Sequence, residues 1–263
     1  GAYVIGQITM QRFVPQAPQH WVYLTNPILN QTIQNWNDDI VTTGFPGSDY
    51  PSYNFMSLYT YNETVAGSKN MGWTGVTNVT DAMDPQAGYI VFMNANAATI
   101  SMSGDFQKGN VNVPLDYTDV EPGTGSLNPD GWNLVGNVYP CAIDWRALHA
   151  ASTSWVTGNS TYYVYNATES NYRAYNASSQ GGTANRYIAS GQAFFIQATD
   201  VNQSLQFQES VKSTSDAAFQ RNTDESMLVR LNLTKGTMTD EVLFTIMDDA
   251  TGAFDVAYDA LKW

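Results

Sequence analysis

The sequence predicts a mainly β protein made of two tandem, related β-sandwich or jelly-roll-like units with few short helices. Three observations predict this. Short apolar or alternating runs recur along the chain, and turn-forming Gly, Pro and Asn separate them. Five blocks of the first half also return in the second half in the same order.

Residues 57–61 place Leu58 and Thr60 on one face and Tyr59 and Tyr61 on the other, the period of a half-covered strand. Residues 203–207 alternate likewise. Residues 89–93 and 193–196 are unbroken apolar runs, expected as central strands covered on both faces. Residues 228–233 and 242–247 read as a late strand pair, with Thr234-Lys235-Gly236 supplying a turn. Helix is expected at 144–151, capped near Asp144, and at its counterpart 32–39. Many short strands with few helices give a sandwich or jelly roll.

The repeat sets the organisation. Trp21, Ile33 and Trp36 are echoed by Trp132, Ile143 and Trp145. The stretch 58–64 (LYTYNET) matches 162–168 (YYVYNAT), and Trp73 is followed in kind by Tyr172. The stretch 87–92 around Gly88 matches 190–196 around Gly191, and 98–103 matches 203–208. The first repeat then covers roughly 3–120. The second runs from about 131 to 210, with a strand-rich tail. The turn-rich stretch 121–131 reads as the boundary, giving units 1–125 and 126–263.

Composition narrows the function. Of 263 residues, 43% are hydrophobic, enough for a real core, and 13% are aromatic. Only 13% are charged, about half the usual share. The surface is therefore largely Asn, Gln, Ser and Thr. A net charge of −13 repels phosphate backbones and anionic bilayers, so nucleic-acid partners and membrane docking are not expected. Neutral sugars and divalent cations suit the same charge. The single Cys141 forms no intrachain disulfide. No segment has the run of apolar residues a membrane-spanning helix needs, so no membrane insertion is expected. The chain reads as a piece of something longer.

The strings GWNLVGNVYPCAIDW, YYVYNATESNYRAYN, RYIASGQAFFIQAT, LQFQESVK and MDDATGAFDVAYDALK stand in the second half. The first half adds ITMQRFVP and WNDDIVTTGFPGSDYPSYNF. Together they resemble repeat regions of large surface proteins of Bacteroidetes that the type IX secretion system exports and that often end in a C-terminal sorting domain. Val138 stands where that pattern has proline, and Cys141 where it has serine. The sorting domain itself is absent. The resemblance implies secretion or a cell-surface location and brings no catalytic residues with it.

Candidate sites follow from residue chemistry. Tyr163, Tyr165, Tyr172 and Tyr175, with Tyr162, are dense enough to line one sheet face. There they could stack against sugar rings of a polysaccharide, or they could be core tyrosines of a Tyr-rich sandwich. Trp21 and Trp132, like Trp36 and Trp145, recur between repeats and are expected in the cores. Asp248, Asp249 and Asp255 cluster in a glycine-containing loop, a candidate calcium site or a solvated acidic turn. The acidic pairs Asp38 with Asp39, Asp248 with Asp249, and Asp119 with Glu121 are weak glycosidase candidates. Cys141 near His149, and the lone His20, read as packing or surface residues. No G-x-S-x-G elbow or phosphate loop occurs. The N-x-S/T sequons at Asn30, Asn62, Asn78, Asn159, Asn166, Asn176, Asn202 and Asn232 are accounted for by composition. No cofactor other than possible calcium is expected. The functional expectation is a non-catalytic structural or adhesive module of a larger exported protein. A carbohydrate-binding module is the alternative, and a hydrolase comes third.

Overall fold

The computed structural model describes residues 6–15, 19–65, 68–94, 96–119, 130–154, 159–166 and 171–215, and the backbone of two further strands. The first elements are β1 (Ile8–Val14), β2 (His20–Leu24), α1 (Gln34–Asn37), β3 (Leu58–Tyr61), β4 (Trp73–Gly75), β5 (Tyr89–Met93) and β6 (Ala98–Gly104). Then come β7 (Val111–Pro114), β8 (Trp132–Gly136), β9 (Ala142–Asp144), α2 (Trp145–Ala151), β10 (Thr161–Asn166) and β11 (Asn171–Asn176). They are followed by β12 (Gly181–Gly182), β13 (Tyr187–Ile188), β14 (Ala193–Gln197), β15 (Ser204–Phe207) and β16 (Lys212–Ser213). A hairpin of β17 (Leu228–Lys235) and β18 (Met238–Thr245) ends the described chain. The protein is mainly β, and its sheets are antiparallel.

Each half is a sandwich with its own core. In the first, sheet β2-β5-β3-β4 presents Val22, Leu24, Leu58, Tyr89 and Val91 to Met10 and Val14 of β1 and Ile100 and Met102 of β6. Trp36 of α1 closes that core, its indole N–H 3.4 Å from the Met102 sulfur. In the second, sheet β8-β14-β10-β11-β12 presents Val135, Phe194, Ile196, Tyr162 and Val164 to Val113, Leu205 and Phe207 of β7 and β15. Trp145 and Leu148 of α2 fill the same core. That helix starts where expected: Asp144 accepts the Arg146 backbone N–H and also pairs with the Arg186 guanidinium.

The strand order β2-β5-β3-β4 repeats as β8-β14-β10-β11. Across the first sheet Tyr23, Ile90, Tyr59 and Gly75 lie in one row; across the second, Leu134, Phe195, Tyr163 and Ala174 do. These rows match Trp21 with Trp132, Tyr61 with Tyr165 and Trp73 with Tyr172. Gly88 falls opposite Ala193, two residues from the Gly191 expected of it. Asn26 and Asn137, each buried, make the same turn, accepting the backbone N–H of Ile28 and Tyr139 respectively.

β7 pairs with β15 and packs in the second core, and most of the stretch 121–131 lies outside the described residues. Phe106 still belongs to the first core. The change of unit therefore falls near Gly109, whose φ of +73° suits glycine at a turn.

The two sheets meet along a seam with approximate twofold symmetry. Leu24 bridges Gln192, and its equivalent Val135 bridges Ala87, the equivalent of Gln192. The Thr25 N–H donates to the Gly191 carbonyl at 3.0 Å, and the matching Gly136 N–H donates to the Gln86 carbonyl at 2.9 Å. Such reciprocal contacts are those of an isologous interface. Residues on the axis meet their own equivalents, so one of each pair must be small. A Cβ on Gly136 would lie 2.1 Å from the Thr25 Oγ1, and one on Gly88 2.7 Å from the Ala193 Cβ. Gly136→Ala is expected to cost about 1–3 kcal/mol by overpacking. Symmetry predicts that the swap Thr25→Gly with Gly136→Thr recovers most of that loss. Urea unfolding checks it; a double variant no better than the sum of its single changes would deny the symmetry.

Candidate functional site

The four tyrosines expected to share an exposed face do not form one. Tyr163 is 1% exposed and Tyr175 7%. Alternation along β10 and β11 sends Tyr162 and Tyr175 into the second core and Tyr163, Tyr165 and Tyr172 into the seam. Both faces of this sheet are covered, one by its own sandwich and the other by the sheet of the first half. Tyr165 and Tyr172 are brought together as a cross-strand pair with ring centroids 5.5 Å apart. Tyr23 of the other sheet packs on both, and its hydroxyl lies 2.5 Å from that of Tyr172. Burial pushes the pKa of both phenols of this pair upward, making them weaker acids. Tyr61 and Trp73 complete the seam against Phe195, with centroids 4.9 and 5.7 Å away.

At one end of the seam the second-half tryptophan is sealed. Trp132 is 2% exposed. Lys69, in the connection 62–72 between β3 and β4, sets its ammonium 5.2 Å from the Trp132 ring centroid. In the same connection Glu63 accepts backbone N–H groups from Thr118 and Gly131 at 2.9 and 2.8 Å. The connection thus lies over the start of β8.

At the other end the equivalent tryptophan stays partly exposed. The link between β10 and β11, residues 167–170, lies outside the described residues. Trp21 meets Phe55, Tyr59 and Phe92 at centroid distances of 5.7, 5.9 and 5.1 Å, and Phe55 meets Phe92 at 4.8 Å. Phe55 is 37% exposed, and the same loop exposes Tyr50 and Tyr53 at 60% and 63%.

The loop that supplies Phe55 is fixed by its own hydrogen bonds. The Thr43 hydroxyl donates to the Phe55 carbonyl at 2.6 Å, and the Ser57 Oγ accepts the Thr43 N–H. The Asp49 carboxylate accepts the Thr42 N–H, and the Phe92 N–H donates to the Ser57 carbonyl. Gly44, at φ +86°, sits where a Cβ would fall 2.6 Å from the Phe55 carbonyl oxygen, so only glycine fits. Residues 36–61 contain no Lys or Arg. The result is an ordered aromatic shelf whose loop carries no basic residue. The sequence reading placed Trp21 in the core and overlooked Phe55 and Phe92. The signal for the shelf was the aromatic string YPSYNF among turn formers.

The remaining candidates are structural where they are described. Asp39 accepts the Ser101 N–H and Asp38 the Gln34 side-chain amide. Burial raises the Cys141 thiol and lowers His149, whose ring lies 6.3 Å from Trp145. Asn159, Asn166 and Asn176 are buried, which keeps three of the sequons from solvent. Asp119 is exposed, whereas Glu121, Asp248, Asp249 and Asp255 lie outside the described residues. Among the described residues no group of three His, Cys, Asp or Glu side chains could hold a metal, and no helix is long and apolar enough to cross a membrane.

The chain belongs to the family described as Domain of unknown function (DUF8693), whose profile matches residues 3–263. No curated protein and no solved structure matches the chain.

Proposed function

We propose that the chain is a non-catalytic structural or adhesive module of a larger protein that is secreted or carried on the cell surface. The observation that supports this most is the seam. Reciprocal backbone hydrogen bonds and packed rings join two sandwiches back to back, and the residues that match between halves are packing and turn residues. A block joined in this way resists bending between its halves, which suits a spacer or a presenting platform. The resemblance to exported Bacteroidetes surface proteins supports the location.

Two measurements test the reading. Calorimetry is expected to show one cooperative transition, with calorimetric and van't Hoff enthalpies equal. Separate melting of the halves would contradict a single stiff block. A panel of glycan, ester and peptide substrates is expected to show no turnover. Turnover abolished by Asp248→Asn or Cys141→Ala would place an active site at that residue and end the proposal.

A further inference from the structure

We infer that Tyr23 and Tyr172 are a site of oxidative cross-linking, where a one-electron oxidant joins the two sandwiches by a dityrosine bond. The pair spans the seam: Tyr23 stands on β2 of the first half and Tyr172 on β11 of the second. Their hydroxyls lie 2.5 Å apart, and their rings are tilted by 46° with centroids 6.1 Å apart. In dityrosine the two hydroxyls flank the new carbon–carbon bond and hydrogen-bond to each other. The pair therefore already holds the hydroxyl arrangement of the product. Packing alone does not require those hydroxyls, because two phenylalanines would fill the same space and leave no polar atom unpaired.

The surroundings suit the chemistry. Tyr172 is partly exposed and meets the oxidant. Tyr23 is 1% exposed and packed among the rings of Trp73, Tyr165 and Phe195, so a radical there is kept from solvent. Hydrogen peroxide acting through a haem takes one electron from Tyr172, and the hydroxyl proton leaves with it. The Tyr172 radical then takes the hydrogen atom of the Tyr23 hydroxyl across their hydrogen bond. A second one-electron step oxidises Tyr172 again. The two radicals couple through the ring carbons next to their hydroxyls, and Tyr172, with solvent beside it, is the ring that closes the gap. The hydrogens on the two coupled carbons move to the oxygens and restore both phenols. The balance is two tyrosines and one hydrogen peroxide to one dityrosine and two waters. Cys141 is the single cysteine, so no disulfide can join the halves, and this bond supplies a covalent tie in its place. The inference rests on the secreted or surface reading above for the oxidising surroundings it needs.

Treating the full chain in dilute solution with hydrogen peroxide and a haem peptide tests this. The exposed Tyr50 and Tyr53 can couple between molecules, so the monomer is first isolated by gel filtration. That monomer is expected to show dityrosine fluorescence. Tandem mass spectrometry of its digest should find the peptides bearing Tyr23 and Tyr172 joined, with the loss of two hydrogens. Tyr23→Phe and Tyr172→Phe should each abolish the fluorescence. Tyr165→Phe should keep it, although that ring lies 5.5 Å from Tyr172. The joined peptides of the unsubstituted chain decide the matter even where a variant folds poorly. A monomer without dityrosine would overturn the inference, as would peptides joined through Tyr165 and Tyr172, or fluorescence that survives in both Tyr23→Phe and Tyr172→Phe. Substrate turnover would end the non-catalytic reading and leave the cross-link standing, so the two fail separately.

Discussion

Trp132→Ala is expected to destabilise the protein by about 3–5 kcal/mol, the usual cost of removing a buried large aromatic ring. The indole fills the end of the seam, edge-on to Tyr163 and Phe195 at centroid distances of 5.3 and 6.2 Å, beneath the Lys69 ammonium. Its walls come from both halves, and both sheets are held by their own cores, so the site has little scope to collapse into the void. Each kcal/mol lost should lower Tm by about 2–4 °C. Trp21→Ala removes the equivalent ring from a partly exposed position and should cost less than half as much. Thermal melts of the two variants side by side measure the difference. Equal losses would mean that connection 62–72 does not distinguish the two ends.

That contrast marks where the sequence stops being informative. Alternation in residues 57–61 and the apolar run at 193–196 identify strands, because the period and the run report which faces are covered. They do not report what covers a face. Tyr163 reads as equally suited to a sugar platform or a core, and the layer that buries it comes from a distant part of the chain. Shared identity also misleads. Gly88 and Gly191 look equivalent as glycines, yet hydrogen-bond register sets Gly88 opposite Ala193, because contact across the axis is what requires Gly88 to be small. Turn composition cannot say whether a connection joins two units or two strands of one, and the pairing of β7 with β15 is not legible in it. Trp21 and Trp132 look alike in the repeat, yet Trp21 is partly exposed while Trp132 is buried beneath the connection between β3 and β4.

Raising the pH from 10 toward 12 is expected to unfold the protein from the seam outward. An unfolded tyrosine titrates near 10. Burial, helped by the nearby Glu63 charge, pushes Tyr61 up to about 12. Burial likewise takes Tyr172 and Tyr89 to about 12, and it raises Tyr23 and Tyr162 well above their ordinary value. All of these shifts favour the neutral phenol in the folded state. Below pH 10 both states are protonated and the stability is fully present. Above pH 10 the unfolded chain releases protons that the folded chain retains, so stability falls with pH until the folded phenols ionise as well. Each phenol that stays protonated while its unfolded counterpart ionises steepens the fall by at most about 1.4 kcal/mol per pH unit. Tyr23, Tyr61 and Tyr172 all lie in the seam, which therefore accumulates the largest penalty. Urea midpoints at neutral pH and in steps between pH 10 and 12, read by circular dichroism beside phenolate absorbance, measure the slope. Tyr23→Phe with Tyr172→Phe should lose about 1 kcal/mol at neutral pH with their shared hydrogen bond. The same pair should make the alkaline fall shallower, because two retained protons no longer enter the balance. A stability that stays flat through pH 12, or buried phenols that ionise near 10 in a chain that remains folded, would show that the seam admits water and is not the dry weld between the two sandwiches.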